Sequence, residues 1–169
     1  EIREMEFDRV LEEVQAGTAD IGVAGITVDE ERAGIVNFSL PYATSKQIVL
    51  VRTDTANIVS LDDLGGKTVG VQSGTVAEII LGRDYPGTTV AAYQKYFEGI
   101  SDLVYGRIDA VAMDFLPAQS FLQQNSELSI LPQELATDQY AIAVNKDDDS
   151  LLEQVNQVLQ ELIESGKID

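Results

Sequence analysis

Phe7, Val10, Leu11 and Val14 fall at i, i+3, i+4 and i+7, the spacing that gathers apolar side chains on one stripe of a helix. The pattern predicts a helix over residues 5–16, ended by Gly17. The period then changes. "DIGVAG" (20–25) reads as a short buried strand, and the long apolar run "KQIVLVRTD" (46–54) as another. A turn of helix is expected at 61–66, a strand at 67–72, a helix at 75–82 and a strand at 88–93. A helix over 96–105 is ended by Gly106, "DAVAMD" (109–114) is a buried strand, and a helix follows over 115–124. Strands around 128–131 and 139–144 and a closing helix over 150–164 complete the pattern.

Aligned on their glycines, "GTADIGVAG" (17–25) and "GRIDAVAMD" (106–114) share one grammar: a helix, Gly, two spacers, Asp, then an apolar strand. Each copy begins a helix–strand crossover, the unit from which parallel α/β sheets are built. The expected fold class is therefore α/β, with two lobes of related build. Two long strands, near 46–53 and 139–145, are free to connect them. The chain has no Pro/Gly-rich linker between the two copies, so the lobes would hinge on strands.

Composition narrows the chemistry. With 169 residues, 44% of them hydrophobic, the chain can bury a core. It has no Cys and no His, which removes thiol nucleophiles, imidazole bases and the usual zinc ligands. Its 29 acidic and 11 basic residues give a formal charge of −18, which repels phosphate backbones and anionic lipid surfaces. No apolar run approaches the roughly 18 residues a membrane helix needs. Lack of cysteine suits an oxidising compartment without demonstrating one. The chain opens at Glu1 inside a helical stretch with no signal peptide, so a natural beginning is expected upstream.

In open parallel sheets ligands gather where strands end. The first copy runs out at Gly25 into "ITVDEER", and the second at Asp114 into "FLPAQSF". Gly25 lets backbone approach a ligand, Thr27 offers a hydroxyl and an N–H, and Arg32 offers a planar fork matched to a carboxylate. A purely structural reading stands beside this one: Asp29 caps a short helix and Arg32 pairs with Glu30 or Glu31. At "VQSGTVAE" (71–78), Thr75 and Glu78 have capping-box spacing, which places a helix N-terminus past a strand end and forms an anion site. An ordinary capped helix is the alternative. Asp114 is either an unpaired carboxylate or the cap of the helix after it, and the two roles are compatible. Two anion-binding features and one carboxylate match a zwitterion. The triple Asp147–Asp148–Asp149 could suggest calcium, but Ser150 and Glu153 have capping-box spacing and favour a solvated helix start.

"LEEVQAGTADIGVAGITVDEERAGIVNFSLPY" (11–42), "IVSLDDLGGKTVGVQSGT" (58–75) and "YAIAVNKDDDSLLEQVNQVLQELIESGKID" (140–169) together strongly resemble the polar amino-acid group of periplasmic solute-binding proteins. That bilobed type II fold is shared with the ligand-binding domains of ionotropic glutamate receptors. The resemblance runs nearly end to end. It implies extracytoplasmic binding of a polar L-amino acid between two hinged lobes, for delivery to the membrane subunits of an ABC transporter.

It further implies that the Gly25 carbonyl and the Thr27 hydroxyl take the ligand's ammonium, and that the Thr27 N–H and Arg32 take its carboxylate. Across the cleft, the segment carrying Gln72, Ser73 and Thr75 helps hold the carboxylate, and Asp114 pairs with the ammonium. Gln72 stands where several relatives have Lys or Arg, which leaves side-chain preference open; Asp29 and Glu30 depart from the family's usual Thr and Pro. Lobe one is expected at 1–46 plus 139–169, truncated at its N-terminus because the family's first strand, helix and second strand would precede Glu1. Lobe two is expected complete at 47–138, with hinges near 42–46 and 138–142. A monomer is expected, with a domain swap or a preceding N-terminal segment completing lobe one. The implied location is periplasmic or otherwise extracytoplasmic, with or without a lipid anchor. No cofactor, metal, nucleic acid or catalytic residue is implied. Two other readings of the fold remain: a sensor domain of an amino-acid receptor or kinase, and a prephenate or arogenate dehydratase-like enzyme. With no His, the latter would depend on carboxylates such as Asp114.

Overall fold

The computed structural model of the protein describes residues 1–55 and 57–168. Ala56 and Asp169, which fall inside the expected spans of lobe two and lobe one, lie outside the described residues. In chain order the elements are α1 (Phe7–Gln15), β1 (Ile21–Thr27), α2 (Glu30–Ile35), β2 (Val36–Phe38) and β3 (Ala43–Arg52). After a single 3-10 turn (Leu61–Leu64) come β4 (Thr68–Gln72), α3 (Val76–Asp84), β5 (Thr89–Tyr93), α4 (Tyr96–Val104) and β6 (Ala110–Asp114). The chain ends with α5 (Phe115–Gln124), β7 (Leu128–Ile130), β8 (Ala136–Asn145) and α6 (Asp149–Glu164). It divides into two compact units, one made of residues 1–44 and 138–169, the other of residues 45–137. The backbone passes from one to the other within β3 and within β8.

In the first unit β1 and β2 both pair antiparallel with β8. The expectation that both copies of the repeat build parallel sheet is corrected here: the strand of the first copy, β1, runs against β8. The apolar stripe read from the sequence is used as expected. Phe7, Val10 and Leu11 pack beside a buried cluster of Val14, Ile26, Val36 and Ala143. The helix lies so close to the strand that a Cβ on Gly22 would stand 2.8 Å from a Val10 methyl, so glycine is required by space at that crossing.

The second unit carries the parallel arrangement. Strand β4 lies parallel to both β5 and β6, while β3 pairs antiparallel with β6 and with β7. Alternate residues of the strands face opposite layers. Val49, Val51, Val69, Val71, Ala110 and Ala112 meet Ala77 and Leu81 of α3 on one side. Ile48, Leu50, Val111 and Met113 meet Ile100 and Leu103 of α4 and Ala118 of α5 on the other. The β3–β6 register places Val51 opposite Ala110, Val49 opposite Ala112 and, one step further, Gln47 opposite Asp114.

One local expectation changes. The last helix is capped by Asp148, whose carboxylate accepts from the Leu151 N–H at 2.9 Å, and not by a Ser150–Glu153 box. With three consecutive aspartates available, the one two residues upstream of Ser150 takes the capping position. No group of three or more metal-ligating side chains occurs among the described residues, and none of the helices described is long and apolar enough to cross a membrane.

Candidate functional site

Gly25, Thr27 and Arg32 come together at the end of β1 in the first unit. The pairing of β1 with β8 is regular at Gly22 and again from Ile26, with an irregularity between them. Gly25 sits in that irregularity at φ 62°, a left-handed backbone conformation open to glycine and costly for other residues. Its N–H donates to the Tyr42 hydroxyl at 3.2 Å, and the Tyr140 ring packs over it. Burial raises the Tyr42 phenol above the ordinary tyrosine pKa, partly offset by that Gly25 N–H. The backbone of the glycine is thus fixed by two tyrosines.

Thr27 and Arg32 are both buried, at 6% exposure each. Buried in a chain this acidic, Arg32 is not a surface cation. Its Nη1 donates to the Thr27 carbonyl at 2.8 Å, its Nε lies 3.2 Å from Asp29 Oδ2, and its Cζ stands 6.0 Å from the Phe7 ring centroid. The same Asp29 caps α2, accepting from the Arg32 N–H at 2.8 Å. The structural alternative was therefore right about the cap and wrong about the ion pair, which is made with Asp29 and not with Glu30 or Glu31. Both of those point into solvent. Cap and ion pair both lock the guanidinium onto the strand end that carries Thr27.

In the second unit, Gln72, Ser73 and Thr75 occupy the link from β4 to α3. The Gln72 amide donates to the Gln94 carbonyl at 2.9 Å, and the Ser73 N–H to the Tyr93 carbonyl at 2.8 Å. The Thr75–Glu78 capping box is not formed. The Thr75 hydroxyl turns back to the Gln72 carbonyl at 2.8 Å, and Glu78 accepts from the Gly74 N–H, also at 2.8 Å. Thr75 nonetheless stands at the N-cap position of α3, 4% exposed. A helix of nine residues begins there, with the positive end of its dipole at the tip.

Asp114 ends β6 and stands at the N-cap position of α5, but its side chain makes no capping bond. Nor is it an unpaired carboxylate, as its isolation in the sequence suggested. Oδ1 accepts from Gln47 Nε2 at 2.6 Å, and Oδ2 from the Tyr96 hydroxyl at 3.1 Å. Neither Gln47 nor Tyr96 stood out in the sequence. Gln47 was hidden in an apolar strand, and the only signal that could have found it was the register of two strands 67 positions apart. Within each unit the expected residues are therefore neighbours: Gly25, Thr27 and Arg32 in the first, and Gln72, Ser73 and Thr75 in the second, where Asp114 sits on the adjoining strand.

The family model described as bacterial extracellular solute-binding proteins, family 3, matches residues 1–169. The chain belongs to that family. Among curated relatives, this solute-binding protein is 28% identical over 165 residues to "ABC transporter arginine-binding protein 1" of Escherichia coli, covering 95% of this chain and 67% of the relative. It is 28% identical over 169 residues to an L-cystine-binding protein of the same organism, covering 99% of this chain and 64% of the relative. The solute-binding protein thus spans about two thirds of the length of these curated relatives. A mutant of ArgBP from T. maritima superposes with a TM-score of 0.93 at 39% identity, covering 99% of this chain and 73% of that one. The arginine-bound form of truncated ArgBP gives 0.91 at 38% identity, over 96% of this chain and 76% of that one. The relatives and solved structures named here are binding proteins by description.

Proposed function

We propose that this solute-binding protein takes a polar L-amino acid, with arginine the first candidate, for delivery to the membrane subunits of an ABC transporter outside the cytoplasm. The observation that carries the reading is the likeness, over nearly the whole chain, to an arginine-bound solved structure at 38% identity. In this proposal Arg32 and the Thr27 N–H take the α-carboxylate, and the Gly25 carbonyl and the Thr27 hydroxyl take the ammonium. In the second unit, Thr75 at the tip of α3, with Gln72 and Ser73 beside it, is proposed as a further carboxylate contact and Asp114 as the ammonium contact. The burial of Arg32 and its fixed position beside Thr27 support the first assignment. The orientation of Asp114 by two uncharged donors supports the second. The chain's net charge of −18 also favours encounter with a cationic solute.

Scanning fluorimetry with each of the twenty amino acids tests the proposal. A ligand present at about 100 times its dissociation constant adds about 2.7 kcal/mol to stability. L-Arginine should raise the melting temperature, and the absence of a shift with every amino acid would refute the reading.

A further inference from the structure

Gln47 lies on β3 with Val49 and Val51, on the face that builds a hydrophobic layer of the second unit, and is 1% exposed. An amide in such a place is expensive unless both of its ends are satisfied. Only one end is: Nε2 donates to Asp114 Oδ1 at 2.6 Å, whereas Oε1 is buried with no hydrogen-bond partner among the described residues. An apolar side chain of similar volume would fill the same space without an unmet acceptor. The residue therefore makes physical sense for its donor, and that donor is aimed at the carboxylate. The strand register leaves Gln47 little freedom to point elsewhere, because it is the cross-strand partner of Asp114.

Tyr96 completes the arrangement from the other layer. It begins α4, packs beside the Ile100–Leu103 cluster, and gives its hydroxyl to Oδ2 at 3.1 Å. A donor on each oxygen, from two different elements, orients the plane of the carboxylate. Neither donor carries charge, so the negative charge of Asp114 is oriented without being neutralised by them. A carboxylate held in that way loses little freedom when a cation arrives.

We infer that Gln47 and Tyr96 are positioning residues that orient Asp114 for the ligand's ammonium; this rests on the amino-acid-binding reading above. Their contribution is then specific to ligands that carry an ammonium. The test is calorimetric titration of wild type, Gln47→Met and Tyr96→Phe with two probes, L-arginine and 5-guanidinopentanoate, which is arginine without its amino group. Circular dichroism checks folding of each variant.

Each substitution is expected to weaken L-arginine about ten- to a hundredfold, the usual range for losing a hydrogen bond to a charged group. The affinity for 5-guanidinopentanoate should change less than about threefold. Placed on top of Asp114→Asn, Gln47→Met should cost less than about twofold more, because the residue it acts through has lost its charge. Equal losses for both probes would overturn the inference by showing a general structural role, as would an unchanged affinity for L-arginine. Should Gln47→Met fail to fold, Tyr96→Phe carries the same signature from a different element. Failure of wild type itself to bind L-arginine would instead strike the reading on which the inference stands.

Discussion

Replacing Asp114 by Asn changes charge with almost no change in shape, which makes it the sharpest perturbation of the proposed ammonium contact. The local hydrogen bonds can survive it. An asparagine carbonyl can still accept from Gln47 Nε2, now 2.6 Å from Oδ1, and the Tyr96 hydroxyl, now donating at 3.1 Å, can rotate to accept from the new amide. Stability of the ligand-free protein should therefore fall by no more than about 1 kcal/mol, the difference between charged and neutral hydrogen bonds. Ligand affinity should fall much further. Removing one partner of a buried, hydrogen-bonded charge pair costs about 2–5 kcal/mol, or roughly 30- to several-thousand-fold in the dissociation constant. Calorimetric titration with L-arginine reads the affinity, and urea unfolding reads the stability. An affinity within about twofold of wild type, below roughly 0.5 kcal/mol, would refute the ammonium assignment. A stability loss as large as the binding loss would refute the claim that the substitution acts on charge.

Gly22→Ala should destabilise the protein by about 1–3 kcal/mol in urea unfolding, because its Cβ meets a Val10 methyl at 2.8 Å, and Val10→Ala in the same chain should recover part of that loss. Asp148→Ala should cost about 1 kcal/mol by removing the cap of α6, while Ser150→Ala should cost less than about 0.5 kcal/mol. Tyr93 should ionise late: burial, then the neighbouring Asp102 carboxylate that its hydroxyl contacts at 2.9 Å, pushes its pKa up to about 12. Its proton is held more tightly in the folded state, so its contribution to stability is complete below about pH 10 and is lost as pH rises toward 12. Ultraviolet titration of wild type against Tyr93→Phe checks it, and a difference spectrum centred near pH 10 would contradict it.

The alternation of helix and strand was legible where burial imposes a period on the chain, as in α1, α4 and α6, and where a short apolar run marks a buried strand, as in β6. The stripe of Phe7, Val10, Leu11 and Val14 is the clearest case. Positions where several polar groups compete were less legible. Thr75 has the spacing of a capping box, yet its hydroxyl finds the Gln72 carbonyl three residues back; Ser150 has the same spacing and loses the cap to Asp148. The strand β2 escaped for a different reason: at three residues it holds too few positions to display a period. The candidate site was half visible. Arg32 and Asp114 announced themselves as a cation in an acidic stretch and a carboxylate at a strand end. Gln47 did not, because its importance comes from a pairing register that no local pattern encodes.

The central claim is that opposite charges on the protein take opposite ends of one amino acid. It is tested most directly by titrating L-arginine, agmatine (which lacks the carboxylate) and 5-guanidinopentanoate (which lacks the ammonium) into wild type, Arg32→Ala and Asp114→Asn. The account predicts a crossed pattern: Arg32→Ala weakens arginine and 5-guanidinopentanoate but barely affects agmatine, while Asp114→Asn weakens arginine and agmatine but barely affects 5-guanidinopentanoate. Equal losses across all three compounds in either variant, or no loss for arginine in both, would contradict it.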